Sequence, residues 1–414
     1  MMTASVDAIL SPDTYADPDA MDALFARLRR DDPVHRVEHP EYRPFWAITK
    51  FADIQEVERQ PEAFLNAPRT FLRTLAYEER ARAATGGNPA LLRSLVFMDA
   101  PDHAKYRKLT QAWFMPGRIR VLEEELRTLA KEVIDEMAAR GGTCDFAADV
   151  APYYPVRVIM RLLGVPRSDE PLILQLTQEI FGSDDPDVQA ARTMTASLAD
   201  TVKVFADYFR DLTADRRRHP ADDLATLFAQ AEIDGRPMAD HESVSYYILV
   251  ATAGHDTTSS SIAGGLLALI KHPGELARLR ADTSLWPGAV DEMVRWVSPV
   301  RHFFRTATRD YDLRGRRIAA GDSLMLCYPS ANRDEEAFED PFAFRVDRPP
   351  NRHIAFGYGP HLCLGMHMAR LEMRIFYEEL LRRIADVELA GDPAWLASTN
   401  VGGLKRLPIR FTMA

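Results

Sequence analysis

The segment best equipped for chemistry is Phe356-Gly357-Tyr358-Gly359-Pro360-His361-Leu362-Cys363-Leu364-Gly365. Two glycines and a proline ahead of a cysteine at a predicted helix start make a rigid loop, one that lets backbone approach a ligand closely. A thiolate in that position is favoured by the helix dipole and by free N–H groups, which lower its pKa and suit it to hold a metal. The same N–H groups temper the charge on sulfur and so tune the metal. Cys144 and Cys327 have no such frame and read as core cysteines.

Other groupings are weaker taken singly. Ala253-Gly254-His255-Asp256-Thr257-Thr258 interrupts an apolar helical background. Glycine, Asp and Thr in mid-helix are poor helix chemistry, so the segment is either a solvated kink or a set of polar groups placed for use. Glu292 and Arg295 lie at i and i+3, which alone is a surface ion pair. His103 and Arg107 share a helix face at i and i+4; with Arg305 and His361 they are basic residues that singly would face solvent.

The elements that must position these residues follow from periodicity. A helix is expected over 18–30, from apolar Met21, Leu24, Phe25 and Leu28, then a strand pair at 34–37 and 45–48. Residues 66–93 are irregular and read as a long loop or short helices. Helical spacing dominates 102–269, with Leu122, Leu126, Leu129, Val133, Ile134 and Met137 on one stripe. Asp234-Gly235 marks a hairpin turn. Residues 240–271 form a long, largely apolar helix closed by His272-Pro273, which should run through the centre. A helix at 289–297, strands up to 326, an irregular stretch at 332–361, a helix at 364–384 and a terminal strand pair complete an α+β chain that is mainly helical.

The 414 residues are 46% hydrophobic and 27% charged, an ordinary globular composition. No linker or repeat divides them, so one large domain over 1–414 is expected. The net charge of −10 argues against a nucleic-acid binder. No apolar run reaches the roughly 18 residues of a membrane span, and the first residues carry no signal-peptide core. Three widely spaced cysteines exclude a disulfide framework and point to a reducing compartment, the cytoplasm.

The pattern Phe-Gly-x-Gly-x-His-x-Cys-x-Gly, filled at every fixed position by Phe356 through Gly365, resembles the cytochrome P-450 signature. In that family a cysteine thiolate holds haem iron and pushes electron density that favours O–O cleavage. The resemblance implies a mainly helical fold with a long central helix over the haem and small N- and C-terminal sheets. It implies haem b as cofactor, with Cys363 as axial metal ligand in a loop that includes Phe356 and Gly357. Glu292 and Arg295 become the Glu-x-x-Arg of the helix that supports this loop, and Arg348 completes their charge triad. Gly254 would leave room for O₂, and Asp256 and Thr257 would relay protons. His103, Arg107, Arg305 and His361 would hold the two propionates.

The runs 253–261, 328–336, 350–353 and 402–411 are most similar to bacterial terpene hydroxylases, those of α-terpineol in particular. Parts of them occur also in alkane- and steroid-oxidising members. By resemblance, the substrate pocket is lined from the 71–96 loop and by Val250, Ala253, Val300, Phe303, Phe304 and Val401. The implied function is a monooxygenase that inserts one atom of O₂ into a C–H bond of a small terpenoid or alkyl-aromatic. Its electrons would come from a ferredoxin and its reductase, since no flavin or nicotinamide fingerprint is present. A basic patch of Lys105, Lys108, Arg118, Arg120 and Arg352 suits an acidic ferredoxin, and a solvated helix face accounts for the same residues equally well. A steroid or alkane hydroxylase, a biosynthetic oxidase and a non-catalytic haem sensor remain alternatives.

Overall fold

The computed structural model describes residues 6–88, 93–181, 185–190 and 198–414. Helix α1 (Pro18–Asp31) starts where Asp17 accepts the N–H groups of Asp19 and Ala20, and it buries Met21, Leu24, Phe25 and Leu28. Strands β1 (Val34–Val37) and β2 (Phe45–Ile48) pair antiparallel, as their alternation predicts. Helix α2 (Phe51–Glu58) and the short β3 (Phe64–Leu65) follow. The irregular stretch after them contains a helix, α3 (Leu75–Thr85), capped by Thr74 and ended by Gly86 in the left-handed region; 89–92 lie outside the described residues.

A helical run comes next: α4 (Asp102–Gln111), α5 (Glu123–Ala138), α6 (Tyr153–Leu163), α7 (Glu170–Phe181) and α8 (Leu198–Arg218), with β4 (Thr143–Asp145) between α5 and α6. Asp234 and Gly235 form the turn of a small hairpin, both at positive φ. Helix α9 (Asp240–Lys271) has 32 residues and so a length of about 48 Å. It is buried along most of its course and packs chiefly against α6 and α10 (Trp286–Val297).

Strands β5 (His302–Ala307) and β6 (Ser323–Cys327) join the N-terminal strands in a five-stranded sheet of order β1-β2-β6-β5-β3, with β6 parallel to β2. Helix α11 (Met366–Arg383) runs into β7 (Ile384–Leu389), which pairs with β8 (Pro408–Met413); β4 adds a third strand beyond the expected pair. Among the described residues no helix is long and apolar enough to cross a membrane.

What holds the irregular chain between β6 and α11 is a buried charge cluster. Arg295 donates twice to the Glu292 carboxylate at 2.7 Å, and both side chains are fully buried. Arg348 Nε donates to both Glu292 oxygens at 3.1 Å, and the N–H of Arg345 and the amide of Asn351 reach the same carboxylate. Arg295 also donates to the carbonyls of Asn332 and Pro341, at 2.8 and 2.9 Å. Burial pushes the Glu292 carboxyl up. The hydrogen bonds and charges of Arg295 and Arg348, with the Arg345 N–H, outweigh it and hold the group below its ordinary value.

A carboxylate whose folded pKa is lowered stabilises the fold above its ordinary value, and that stability is lost as pH falls through the lowered one. Replacing Glu292 by Ala leaves two buried guanidinium groups without their anion. The loss should be about 3–5 kcal/mol, seen as a drop in the denaturant midpoint and a flatter acid limb in the stability–pH profile.

Candidate active site

The Cys363 loop closes on itself: the Cys363 N–H donates to Phe356 O at 2.9 Å, and α11 begins at Met366 with Gly365 before it. Gly357 and Gly359 have φ of +71° and +68°, which accounts for both glycines. A Cβ on Gly359 would come within 2.3 Å of the Glu58 carbonyl oxygen. At Gly359 the close approach is therefore to the end of α2, while Gly357 and Gly365 of the same loop border the cavity.

Cys363 is accessible, and it borders a cavity that also meets Phe356, Gly357 and Leu364 on its own side and Val250, Ala253, Gly254 and Thr257 of α9 across it. Burial pushes the thiol up, although the Gly365 and Met366 N–H groups and the charges of Arg107 and Arg370 favour the thiolate. The helix N-terminus thus works in the expected direction but does not by itself outweigh burial.

His103, Arg107, Arg305 and His361 border the same cavity. The rings of His103 and His361 lie 4.0 Å apart. Burial and nearby cations hold both imidazoles below their usual value, His361 at about 2. Arg107 donates to Leu362 O at 2.8 Å, and His103 Nε2 is buried without a partner among the described residues. Arg305 donates to Glu58 Oε1 at 2.9 Å, so one acid of the protein already claims part of it.

This donor set fits one kind of group. A single thiol faces α9 across an apolar slot bordered by Leu95, Phe114, Leu249 and Phe303, and the rim carries cations and an unsatisfied ring nitrogen that suit acidic substituents. Among the described residues no cluster of three or more His, Cys, Asp or Glu could bind a metal alone. A flat apolar macrocycle that brings its own metal and two carboxylates satisfies every side of the slot.

Residues 73–389 match the family described as cytochrome P450. The chain belongs to the cytochrome P450 family. It is 45% identical to cytochrome P450-terp of a Pseudomonas species, over 98% of this chain and 97% of that one. It is 35% identical to a methyl-branched lipid omega-hydroxylase of Mycobacterium bovis, over 96% and 92%. The crystal structure of CYP108D1 from Novosphingobium aromaticivorans superposes with a TM-score of 0.91 at 46% identity, covering 98% of each chain. As a cytochrome P450 the protein is a haem b monooxygenase with the mainly helical α+β fold that the signature implied.

In this cytochrome P450 a second cavity adjoins the first, and Val96, Leu249, Ala253, Thr257, Val300 and Phe303 border both. Val401 borders the second, as do Phe71 and Val96 of the 71–96 stretch, while Val250 borders only the first. Phe304 borders neither and corrects the expected lining. Side chains alternate along β5, so Phe303 and Arg305 face the cavities while Phe304 packs on Phe45 at 5.2 Å.

The polar segment of α9 also differs in detail. A Cβ on Gly254 would stand 2.4 Å from Ile159 Cδ1, so the glycine serves close packing against α6. The Thr257 hydroxyl donates back to Ala253 O at 2.9 Å. Asp256 borders neither cavity; its Oδ1 lies 3.3 Å from His255 Nδ1, and its Oδ2 is buried without a partner among the described residues.

Two acids at this site escaped sequence reasoning. Glu58 accepts from Arg305 and Tyr328, and burial raises it to about 6. Glu372 on α11 is fully buried beside the cavity, its carboxyl pushed well up. Each sits four residues after an apolar core residue, Ile54 and Met368, so an acid on an apolar stripe was the available signal. Replacing Cys363 by His should change the ferrous–CO absorption band of the haem-loaded protein from thiolate type to imidazole type. A surviving thiolate band would transfer the ligand role to another cysteine.

Proposed function

We propose that this cytochrome P450 hydroxylates a small terpenoid or alkyl-aromatic compound in the cytoplasm, with electrons from a ferredoxin and its reductase. The observation that carries this reading is the apolar cavity beside the Cys363 slot, where Val300, Phe303, Leu249 and Ala253 meet Thr257. Such a lining orients a small hydrophobic molecule by shape, with few polar contacts. The name of the Pseudomonas relative points the same way, whereas that of the Mycobacterium relative names a methyl-branched lipid.

Haem, when bound, supplies the iron at which O₂ is reduced and one oxygen atom is passed to the substrate. Cys363 would bind its iron, with His103, Arg107, Arg305 and His361 at its carboxylates and the Glu292 cluster fixing the loop. Thr257 spends its proton on Ala253 O, so its lone pairs are what it offers the cavity. It would accept a hydrogen bond from a protonated oxygen or water there. Asp256 would have to turn, or act through water, to pass a proton to Thr257.

For the electron donor, Lys108, Arg120 and Arg352 are exposed and have no ion pair among the described residues, while Asp234 and Asp222 neutralise Lys105 and Arg118. Met115 and Val121, 47% and 73% exposed, flank the Arg118–Arg120 segment. Cations around exposed apolar residues suit a small acidic electron carrier.

Soret titration should give a spin-state shift with α-terpineol or p-cymene; a shift with steroids alone would sink the small-substrate assignment. Replacing Thr257 by Ala should leave substrate binding in place while diverting reducing equivalents to hydrogen peroxide. Equal product per electron in variant and parent would remove Thr257 from the relay.

A further inference from the structure

The substrate cavity has a charged end that a purely hydrocarbon ligand leaves unused. Its charged lining residues are Arg69, Arg73 and Glu78. Glu78, its side chain 8% exposed, is already shared: Arg43 donates to one oxygen at 2.8 Å and Arg69 to the other at 3.1 Å. Arg82 approaches it as well, at 3.9 Å. One carboxylate thus faces several guanidinium groups, and the cavity wall carries a surplus of positive charge.

Arg73 is where that surplus is accessible. Among the described residues it has no carboxylate partner, and its one hydrogen bond is a long one to Leu72 O at 3.4 Å. Its guanidinium lies over Phe71 and Tyr77, 5.7 and 5.1 Å from the ring centroids. Stacking of this kind fixes the orientation of a guanidinium but leaves its in-plane N–H donors free. A half-buried cation with unused donors, beside a Glu78 already claimed by other arginines, is stabilised by an anion that enters with the ligand. Thr257 borders the same cavity at the Cys363 side, so one molecule can touch both.

We propose that the preferred substrate is a hydrophobic carboxylate whose acid group pairs with Arg73 and whose hydrocarbon end lies at Thr257. The inference rests on the small-substrate reading above and adds an ionised group to it. The planar fork of Arg73 matches a carboxylate with two parallel hydrogen bonds, which an alcohol or an alkane cannot make.

The test uses the haem-loaded full chain and Soret titration in two matched series. The first is 4-isopropylbenzoate, 4-isopropylbenzyl alcohol and p-cymene; the second is decanoate and 1-decanol. Within the series that gives the larger shift, the carboxylate should bind at least about tenfold tighter than the alcohol, and raising salt from low to high should shrink that ratio. In Arg73→Gln the ratio should fall to near one, while Arg73→Lys should keep part of it. Equal or weaker binding of the carboxylate by the parent protein, or an unchanged ratio in Arg73→Gln, overturns the proposal. If p-cymene shifts the spectrum without any preference for the acid, only this proposal fails. If none of the five ligands shifts it, this proposal fails, and the small-substrate reading fails with it only where α-terpineol also leaves the spectrum unchanged.

Discussion

The structure depends first on keeping an irregular chain in one place. Between β6 and α11 there is little regular structure to hold the backbone, yet this stretch ends in the cysteine that must face α9. The Glu292 carboxylate holds two guanidinium groups, a backbone N–H and an amide, and Arg295 passes the restraint on to the carbonyls of Asn332 and Pro341. Buried charges are costly unless every one is paired, so an alternative path for this stretch would strand at least one of them. The cluster therefore works less as a source of net stability than as a penalty on other arrangements.

The cavity walls follow from that restraint together with the course of α9. The helix is long enough to pass from the substrate side to the cysteine side, and its hydroxyls bond back to its own carbonyls: Thr252 to Ile248, Thr257 to Ala253, Ser261 to Thr257. Each such bond satisfies a polar group without a partner from another element, so the polar segment can sit inside an apolar protein. Packing of Gly254 on Ile159 then sets the distance between α9 and α6. The cavity wall and the packing share the same few residues here, and a substitution at Gly254 would disturb both.

Charge around the site is graded. On the cysteine side two arginines, Arg107 and Arg305, face two acids, Glu58 and Glu372, while burial and nearby cations hold His103 and His361 below the usual imidazole value. Glu58 and Glu372 are pushed up by burial, so the slot tends to carry fewer negative charges than its composition suggests. On the substrate side Glu78 is outnumbered by arginines. Neither cavity wall therefore carries a strong negative charge of its own.

The amino-acid sequence by itself determined the cysteine loop, the long apolar helix and the first strand pair. Those features rest on local chemistry: glycines for positive φ at 357 and 359, apolar residues at helical spacing along 240–271, alternation at 34–37 and 45–48. Tertiary structure alone decided whatever depends on which face meets which. It turned Phe304 away from the cavity by the parity of β5 and spent Gly254 on Ile159. It carried Asp256 off the cavity wall, brought β6 beside β2 across most of the chain, and placed Glu58 against Arg305. Spacing along a chain records which residues share a side of one element, whereas contact between distant elements is set by packing of the whole core.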